Sequence, residues 1–238
     1  MNHQQKGEFI SLCSHKFTVI YPHMEDNFRH KGLRKRLVEE IKKKGINQQP
    51  VLDAIESIPR HLFLDPVFLE FAYQDKPFPI GCEQTISQPY TVAFQTQLLE
   101  IKARDKVLEV GTGSGYQACV LLEIGARVYS IERIKKLYEK TKLFLPKIGY
   151  RPKLFYGDGY KGLPTFAPFD KIIITAGAPF IPDELIDQLK PGGILVAPIG
   201  VGGVQTMVRW IKQLDGVLTK ETHGSFAFVP MLENKSEE

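Results

Sequence analysis

VLEVGTGSGYQACVLL, residues 107–122, runs from a β-branched segment through three glycines into a helical pattern. Gly111, Gly113 and Gly115 let the backbone turn tightly at that junction and bring a ligand close to a helix N-terminus, where unpaired N–H groups gather. The dinucleotide fingerprint wants its third glycine five residues after the first, but Gly115 stands four after Gly111 and position 116 is Tyr. No Gly-Lys-Ser/Thr follows, so the loop is not of the nucleoside-triphosphate type either.

Short apolar runs alternate with helical segments on the C-terminal side: VYSIE (128–132), KLFYGD (153–158), DKIIITA (170–176) and ILVAPIG (194–200). Strands that are apolar almost throughout belong to a parallel sheet covered by helices on both faces, which predicts an α/β, doubly wound sheet. MVRWIKQ (207–213) and SFAFVP (225–230), separated by Gly and polar residues, read as two antiparallel strands closing one edge. On the N-terminal side, Leu33, Leu37 and Ile41 place an apolar stripe on a helix over 29–44, with Gly45 as its C-cap. Val51, Leu52, Ile55 and Ile58 predict a second helix over 47–58 that Pro59 closes. KPFPIGCEQTISQPY (76–90), punctuated by Pro and Gly, reads as loop. The first 24 residues show no period and form an expected flexible extension. Residues 25–238 form an expected single domain, divided into a helical part with a substrate-side loop (25–104), a ligand-binding core (105–200), and C-terminal strands and tail (201–238).

Composition removes several classes. The chain has 238 residues, 43% apolar and 24% charged, and no run reaches the roughly 18 to 20 apolar residues of a membrane span; Phe9–Cys13 is cut off by His15 and Lys16 before it could serve as a signal core. Cys13, Cys82 and Cys119 are odd in number and widely spaced, so free thiols, no metal cluster and a cytoplasmic location are expected. The net charge is +4, and residues 29–44 alone hold eight Lys or Arg against Glu39 and Glu40, so the rest of the chain sums to −2. The basic excess is local and reads as a solvated helix face rather than a nucleic-acid footprint.

The glycine loop resembles motif I of the AdoMet-dependent methyltransferases: Glu109 precedes Gly111, Gly113 and Gly115. Glu132 ends the next strand and Asp158, in YGDG, the one after, and ligands of open α/β sheets bind at such strand ends. The resemblance implies that Glu132 accepts the ribose hydroxyls, that Asp158 lies near the adenine amino group, and that Thr112, Arg133, Gly159, Thr175 and Gln205 belong to the cofactor site. From about residue 33 to 232 the chain is similar to the protein-L-isoaspartate O-methyltransferases, through IPRH (58–61), AYQDKPFPIG (72–81), QTISQPYTVA (84–93), APFDKIIITAGAP (167–179), QLKPGG (188–193) and FVP (228–230).

That family's reaction is a one-step displacement in which the free α-carboxylate of an isoaspartyl residue takes the methyl of S-adenosyl-L-methionine, leaving S-adenosyl-L-homocysteine. The methyl ester then collapses to a succinimide that partly restores aspartate, a repair of damaged proteins. A carboxylate of pKa about 4 is ionised at neutral pH and requires no general base, which fits the lack of an obvious catalytic His. Alignment supplies the rate, to the extent of roughly 7 to 11 kcal/mol. The resemblance places Ser87 beside the acceptor carboxylate, with Thr85 nearby; Ser87, followed by Gln88 and Pro89, is equally a helix N-cap by its residues alone. A monomer that binds neither nucleic acid nor membrane is expected.

Two positions depart from the family. Glu83 stands where many members have Gly, and Ala227 where bacterial members often carry Arg. If the backbone at 83 needs positive φ, Glu costs on the order of 1 kcal/mol there, and its charge would repel an acceptor carboxylate. A small-molecule carboxyl methyltransferase and a non-catalytic AdoMet-binding protein therefore stay open. A nucleic-acid methyltransferase lacks support, since position 175 onward reads TAGAP rather than an Asn/Asp-Pro-Pro-Tyr loop.

Overall fold

The computed structural model describes residues 25–237, so the extension expected over residues 1–24 lies outside them. The seven-stranded sheet is built from β3 (Lys106–Val110), β4 (Arg127–Glu132), β5 (Lys153–Tyr156), β6 (Phe169–Ile174), β7 (Leu189–Ile199), β8 (Gln205–Lys212) and β9 (Leu218–Phe226). Its order is β5-β4-β3-β6-β7-β8-β9. The first five strands in that order run parallel, and β8 and β9 return antiparallel. The chain starts the sheet at β3, moves outward to β5, then crosses back to β6 on the other side. The strand order reverses at β3, which puts the binding crevice at the carboxyl ends of β3, β4 and β6.

Period-two alternation divides β3 between two cores. Leu108 and Val110 pack with Ile131, Ile172 and Ile174, while Val107 packs with Leu99, Ala118, Leu121 and Val196. A third core joins α1 (Phe28–Lys43), α2 (Gln49–Ser57) and α4 (Tyr116–Glu123) through Leu37, Ile41, Leu52, Ile55 and Val120. Gly45, at φ +101°, ends α1 as expected. The Gly45 N–H donates to the Lys42 carbonyl at 3.0 Å and that of Ile46 to Ile41 at 3.4 Å, with Ile41 and Ile46 both buried, which is a Schellman closure.

Three expectations need correction. Residues 76–90 are not loop: β1 (Phe78–Gly81) and β2 (Gln84–Ile86) pair as an antiparallel hairpin, and α3 (Pro89–Leu99) begins directly after it. The last strand lies at 218–226 instead of 225–230, because β9 is a largely exposed polar edge with no apolar alternation to betray it. Residues 227–231 instead leave the sheet, and the Gly177 N–H donates to the Val229 carbonyl at 2.8 Å while the Met231 N–H donates to that of Gly177 at 2.8 Å.

Third, the basic helix is not wholly a solvated face. Arg34 is 5% exposed and its guanidinium grips Asp26 with two bonds of 2.8 and 2.9 Å. Asp26, His30 and His61 also bring candidate ligand atoms within 4.8 Å of one another, a juxtaposition the sequence concealed. Both Asp26 oxygens are engaged by Arg34, and the two imidazoles lie against each other, tilted by 35°, with centroids 3.9 Å apart.

Candidate functional site

The loops after β3, β4 and β6 face the hairpin and the 229–232 segment across a cleft of about 860 Å³, open mouth included. Thr85, Ser87, Gly111, Thr112, Gly113, Glu132, Arg133, Gly159 and Thr175 all line it. Four expected site residues, Glu109, Gly115, Asp158 and Gln205, stand behind the lining.

The glycine loop has two functions in its three glycines. Gly111 (φ +101°) packs so tightly that a Cβ there would come 2.5 Å from Thr175 Oγ1. The Thr175 hydroxyl bonds the Gly111 carbonyl at 2.6 Å, tying the end of β6 to the loop. Gly113 (φ +51°) donates its N–H to Glu132 Oε2 at 2.8 Å and accepts the Thr141 hydroxyl at 2.7 Å. Gly115 (φ +83°) is a packing glycine: a Cβ would meet Leu145 and Thr141 of the neighbouring turn and helix at 2.8 and 2.9 Å.

Of the three carboxylates, only Glu132 faces the cleft. It is 5% exposed and its oxygens accept backbone N–H groups of Gly113 and Ile134 at 2.8 and 2.9 Å. Burial raises its pKa above the usual carboxylate range while those donors pull it down. Each oxygen keeps a second lone pair for a ligand hydroxyl. Glu109, one residue short of its strand end, pairs in register with Ser130 on the face of the sheet that Glu132 shares, and is fully buried short of the cleft. It accepts the Ser130 hydroxyl, which lies 2.6 Å from Thr112 Oγ1. Burial pushes the Glu109 pKa up to about 8, and the nearby Glu132 adds to the rise. Asp158 caps the turn Gly159–Lys161, accepting the Tyr160 N–H at 2.9 Å, so it places Gly159 in the cleft without lining it. Gln205, 2% exposed, donates to the Gly202 carbonyl at 2.6 Å and accepts the Phe228 N–H at 2.9 Å, which holds the 228–232 segment against the cleft.

In the hairpin, Cys82 (φ +51°) and Glu83 (φ +55°) form the two-residue turn. Both residues in the left-handed region make it a type I′ turn, the form that suits strand twist but favours Asn-Gly. Glu83 is exposed at the tip and lines neither the cleft nor the groove beside it, so its charge does not face the acceptor end. Ser87 does not cap α3. The cap position is Gln88, whose side chain makes no capping bond, and the Tyr90 N–H is taken instead by distant Asp75 at 2.7 Å. The Ser87 hydroxyl, with no hydrogen-bond partner among the described residues, lines both the cleft and the adjoining groove, where Lys44 and Ala227 also lie.

Sequence reading missed the apolar wall, Ile131, Ile134 and Val229–Leu232, and the tail beyond it. Arg133 donates to the Asn234 carbonyl at 3.0 Å and Tyr156 to that of Ser236 at 3.0 Å, so the tail wraps the glycine-loop end. These residues carry no motif; only their apolar character after FVP hinted at a wall. Arg60 and Asp75 were missed as well, although they stand inside quoted segments.

A family model described as protein-L-isoaspartate(D-aspartate) O-methyltransferase matches residues 32–236. A protein-L-isoaspartate O-methyltransferase of Christiangramia forsetii is 60% identical over 214 residues, 90% of this chain and 100% of the relative. That of Flavobacterium johnsoniae is 57% identical over the same shares of both chains. A solved protein-L-isoaspartate O-methyltransferase superposes with a TM-score of 0.76 at 29% identity, covering 84% of this chain and 66% of that one. A Plasmodium falciparum structure in complex with S-adenosyl-L-homocysteine, described as a putative member of the same class, shares the fold at a TM-score of 0.72 and 24% identity, over 84% of this chain and 99% of that one.

Proposed function

The chain belongs to the protein-L-isoaspartate(D-aspartate) O-methyltransferase family, and on that premise we propose how its cleft divides the work. The enzyme moves the methyl group of AdoMet to the free α-carboxylate of L-isoaspartyl residues, the repair of damaged proteins and peptides. AdoMet, when bound, supplies an electrophilic methyl group on a sulfonium. The donor set fits that group: a buried carboxylate for a diol, glycine backbone for close approach, and apolar Val110, Ile131 and Met231 in one cleft. Glu132, Gly111, Thr112, Gly113, Arg133, Gly159 and Thr175 hold the cofactor, while Glu109, Gly115, Asp158 and Gln205 hold those residues in place.

Ser87, with Thr85, receives the acceptor. A hydroxyl can donate to a carboxylate oxygen without a full positive charge, which would stabilise the ionised ground state and blunt its nucleophilicity. The nucleophile arrives ionised, so what the protein supplies is alignment and exclusion of water. The single observation that carries this division is that Glu132 and Ser87 line one and the same cleft.

The acceptors are proteins and peptides of many sequences, and the enzyme acts as a cytoplasmic monomer of one domain that binds neither nucleic acid nor membrane. No helix of the described residues is long and apolar enough to cross a membrane. A small-molecule substrate or a non-catalytic role was left open by Glu83, and its place at the turn tip removes that reason. Labelled AdoMet offered with an isoaspartyl peptide, its aspartyl twin and RNA tests the reading. Base-labile label on the isoaspartyl peptide alone is expected. Label on RNA alone, or cofactor binding with transfer to none, would overturn it.

A further inference from the structure

Arg60 opens the turn Arg60–Phe63 and is 0% exposed. Its Nη2 donates to the Ser87 carbonyl at 2.9 Å and to the Lys76 carbonyl at 3.2 Å, and its guanidinium lies 4.9 Å from the centroid of the Tyr116 ring, itself a wall of the cleft. Lys76 stands two residues before β1 and Ser87 directly follows β2, so one nitrogen fastens the chain at both ends of the hairpin. Burial pulls the Arg60 pKa down, so the charge is kept there against a desolvation cost.

Asp75 supplies the opposite half of the arrangement. Its side chain is 3% exposed and accepts three bonds: the Tyr90 N–H at 2.7 Å, Gln88 Nε2 at 2.9 Å and Lys44 Nζ at 2.6 Å. A guanidinium only donates and so holds carbonyls; a carboxylate only accepts and so holds N–H groups. Ser87 sits between them, its carbonyl fixed by the cation and the two donors that follow it fixed by the anion. Apolar side chains would fill the same space but hold none of these groups.

We propose that Arg60 and Asp75 are positioning residues that act through Ser87, fixing the hairpin base so that the serine hydroxyl meets the acceptor carboxylate. The inference rests on the reading of Ser87 as the acceptor contact. Since a displacement of about 1 Å can cost about a hundredfold in rate, the loss of this hold registers in turnover rather than in cofactor affinity.

The test uses the full chain and an isoaspartyl peptide, with Arg60→Ala and Asp75→Asn made in the wild-type and Ser87→Ala backgrounds. Arg60→Ala is expected to lower kcat about a hundredfold and to leave S-adenosyl-L-homocysteine affinity within about threefold. Millimolar guanidinium is expected to restore at least about tenfold of that loss by refilling the site. In the Ser87→Ala background the same change is expected to cost less than about threefold, because residues acting through one group are not additive. Equal losses in both backgrounds, or a parallel loss of cofactor affinity, would reduce Arg60 to packing and overturn the inference. Should Arg60→Ala fail to fold, isosteric Asp75→Asn carries the same test, with a loss of about tenfold that vanishes without Ser87. A wild-type enzyme that methylates the peptide and a Ser87→Ala enzyme that does so poorly, beside unimpaired Arg60 and Asp75 variants, would sink this inference alone. A wild-type enzyme inactive on the peptide, or an unimpaired Ser87→Ala, would sink the functional reading with it.

Discussion

Ser87 and Glu109 show how far a residue's type foretells its work. Both were expected in the site, but Ser87 lines the cleft with its hydroxyl unengaged among the described residues, whereas Glu109 is fully buried beside Ser130 and does not line it. Ser87→Ala is expected to lower turnover by one or two orders of magnitude with AdoMet affinity nearly intact, measured by initial rates beside calorimetric titration. Glu109 governs stability instead. Its folded pKa of about 8 lies above the usual 4.5 because burial opposes its charge. The neutral carboxyl is therefore favoured in the folded state, and its contribution is complete below about pH 4.5 and lost as pH rises towards about 8. Thermal unfolding of wild type against Glu109→Gln should show the wild type losing ground between about pH 5 and about pH 9. A gap between the two that does not change with pH would contradict this. Nothing in the sequence separates Glu109 from Glu132: they share a face of the sheet, and Glu132 reaches the cleft because it stands two residues further along in register, at the very end of its strand.

Among elements, the parallel strands were legible because burial on both faces makes them continuous apolar runs, and their expected and observed spans overlap throughout. The hairpin was not, because β1 and β2 are four and three residues long and the turn between them is Cys-Glu where a I′ turn calls for Asn-Gly. β9 hid for the opposite reason: an edge strand with both faces polar has no periodic signal. The strained turn offers its own test. Glu83→Gly relieves a positive φ and should raise stability by about 1 kcal/mol in denaturant titration, with turnover unchanged because the tip lines neither cavity. An unchanged or lowered stability would show that the strain is absorbed elsewhere.

For the molecule as a whole, the charge pattern and the catalytic cleft are separate features. Lys35, Arg36, Lys42 and Lys43 face solvent on α1, while Arg34 turns inward to Asp26 and Lys44 to Asp75. Changing the four exposed residues to Gln would take the net charge from +4 to 0. Catalytic efficiency on an isoaspartyl peptide with no charged group besides the acceptor carboxylate and its termini should stay within about twofold at physiological ionic strength, where exposed charges are screened beyond about 8 Å. A tenfold loss would instead make the helix part of the acceptor surface. The switch point of the strand order, visible in the sequence as the glycine loop and Glu132, located the cofactor end of the cleft. The acceptor end depends on long-range contacts from residue 60 onto 87, from 75 onto 88 and 90, and from 205 onto 228, which no local pattern encodes.

The claim at the centre of this account is that one cleft holds the cofactor at Glu132 and the acceptor at Ser87. A crystal structure with S-adenosyl-L-homocysteine and an isoaspartyl peptide tests it most directly. The ribose hydroxyls should bond the Glu132 carboxylate, and the free α-carboxylate should lie within hydrogen-bond reach of Ser87 Oγ while pointing at the cofactor sulfur. A ribose bound away from Glu132, or a carboxylate held by other groups with Ser87 out of reach, would contradict it.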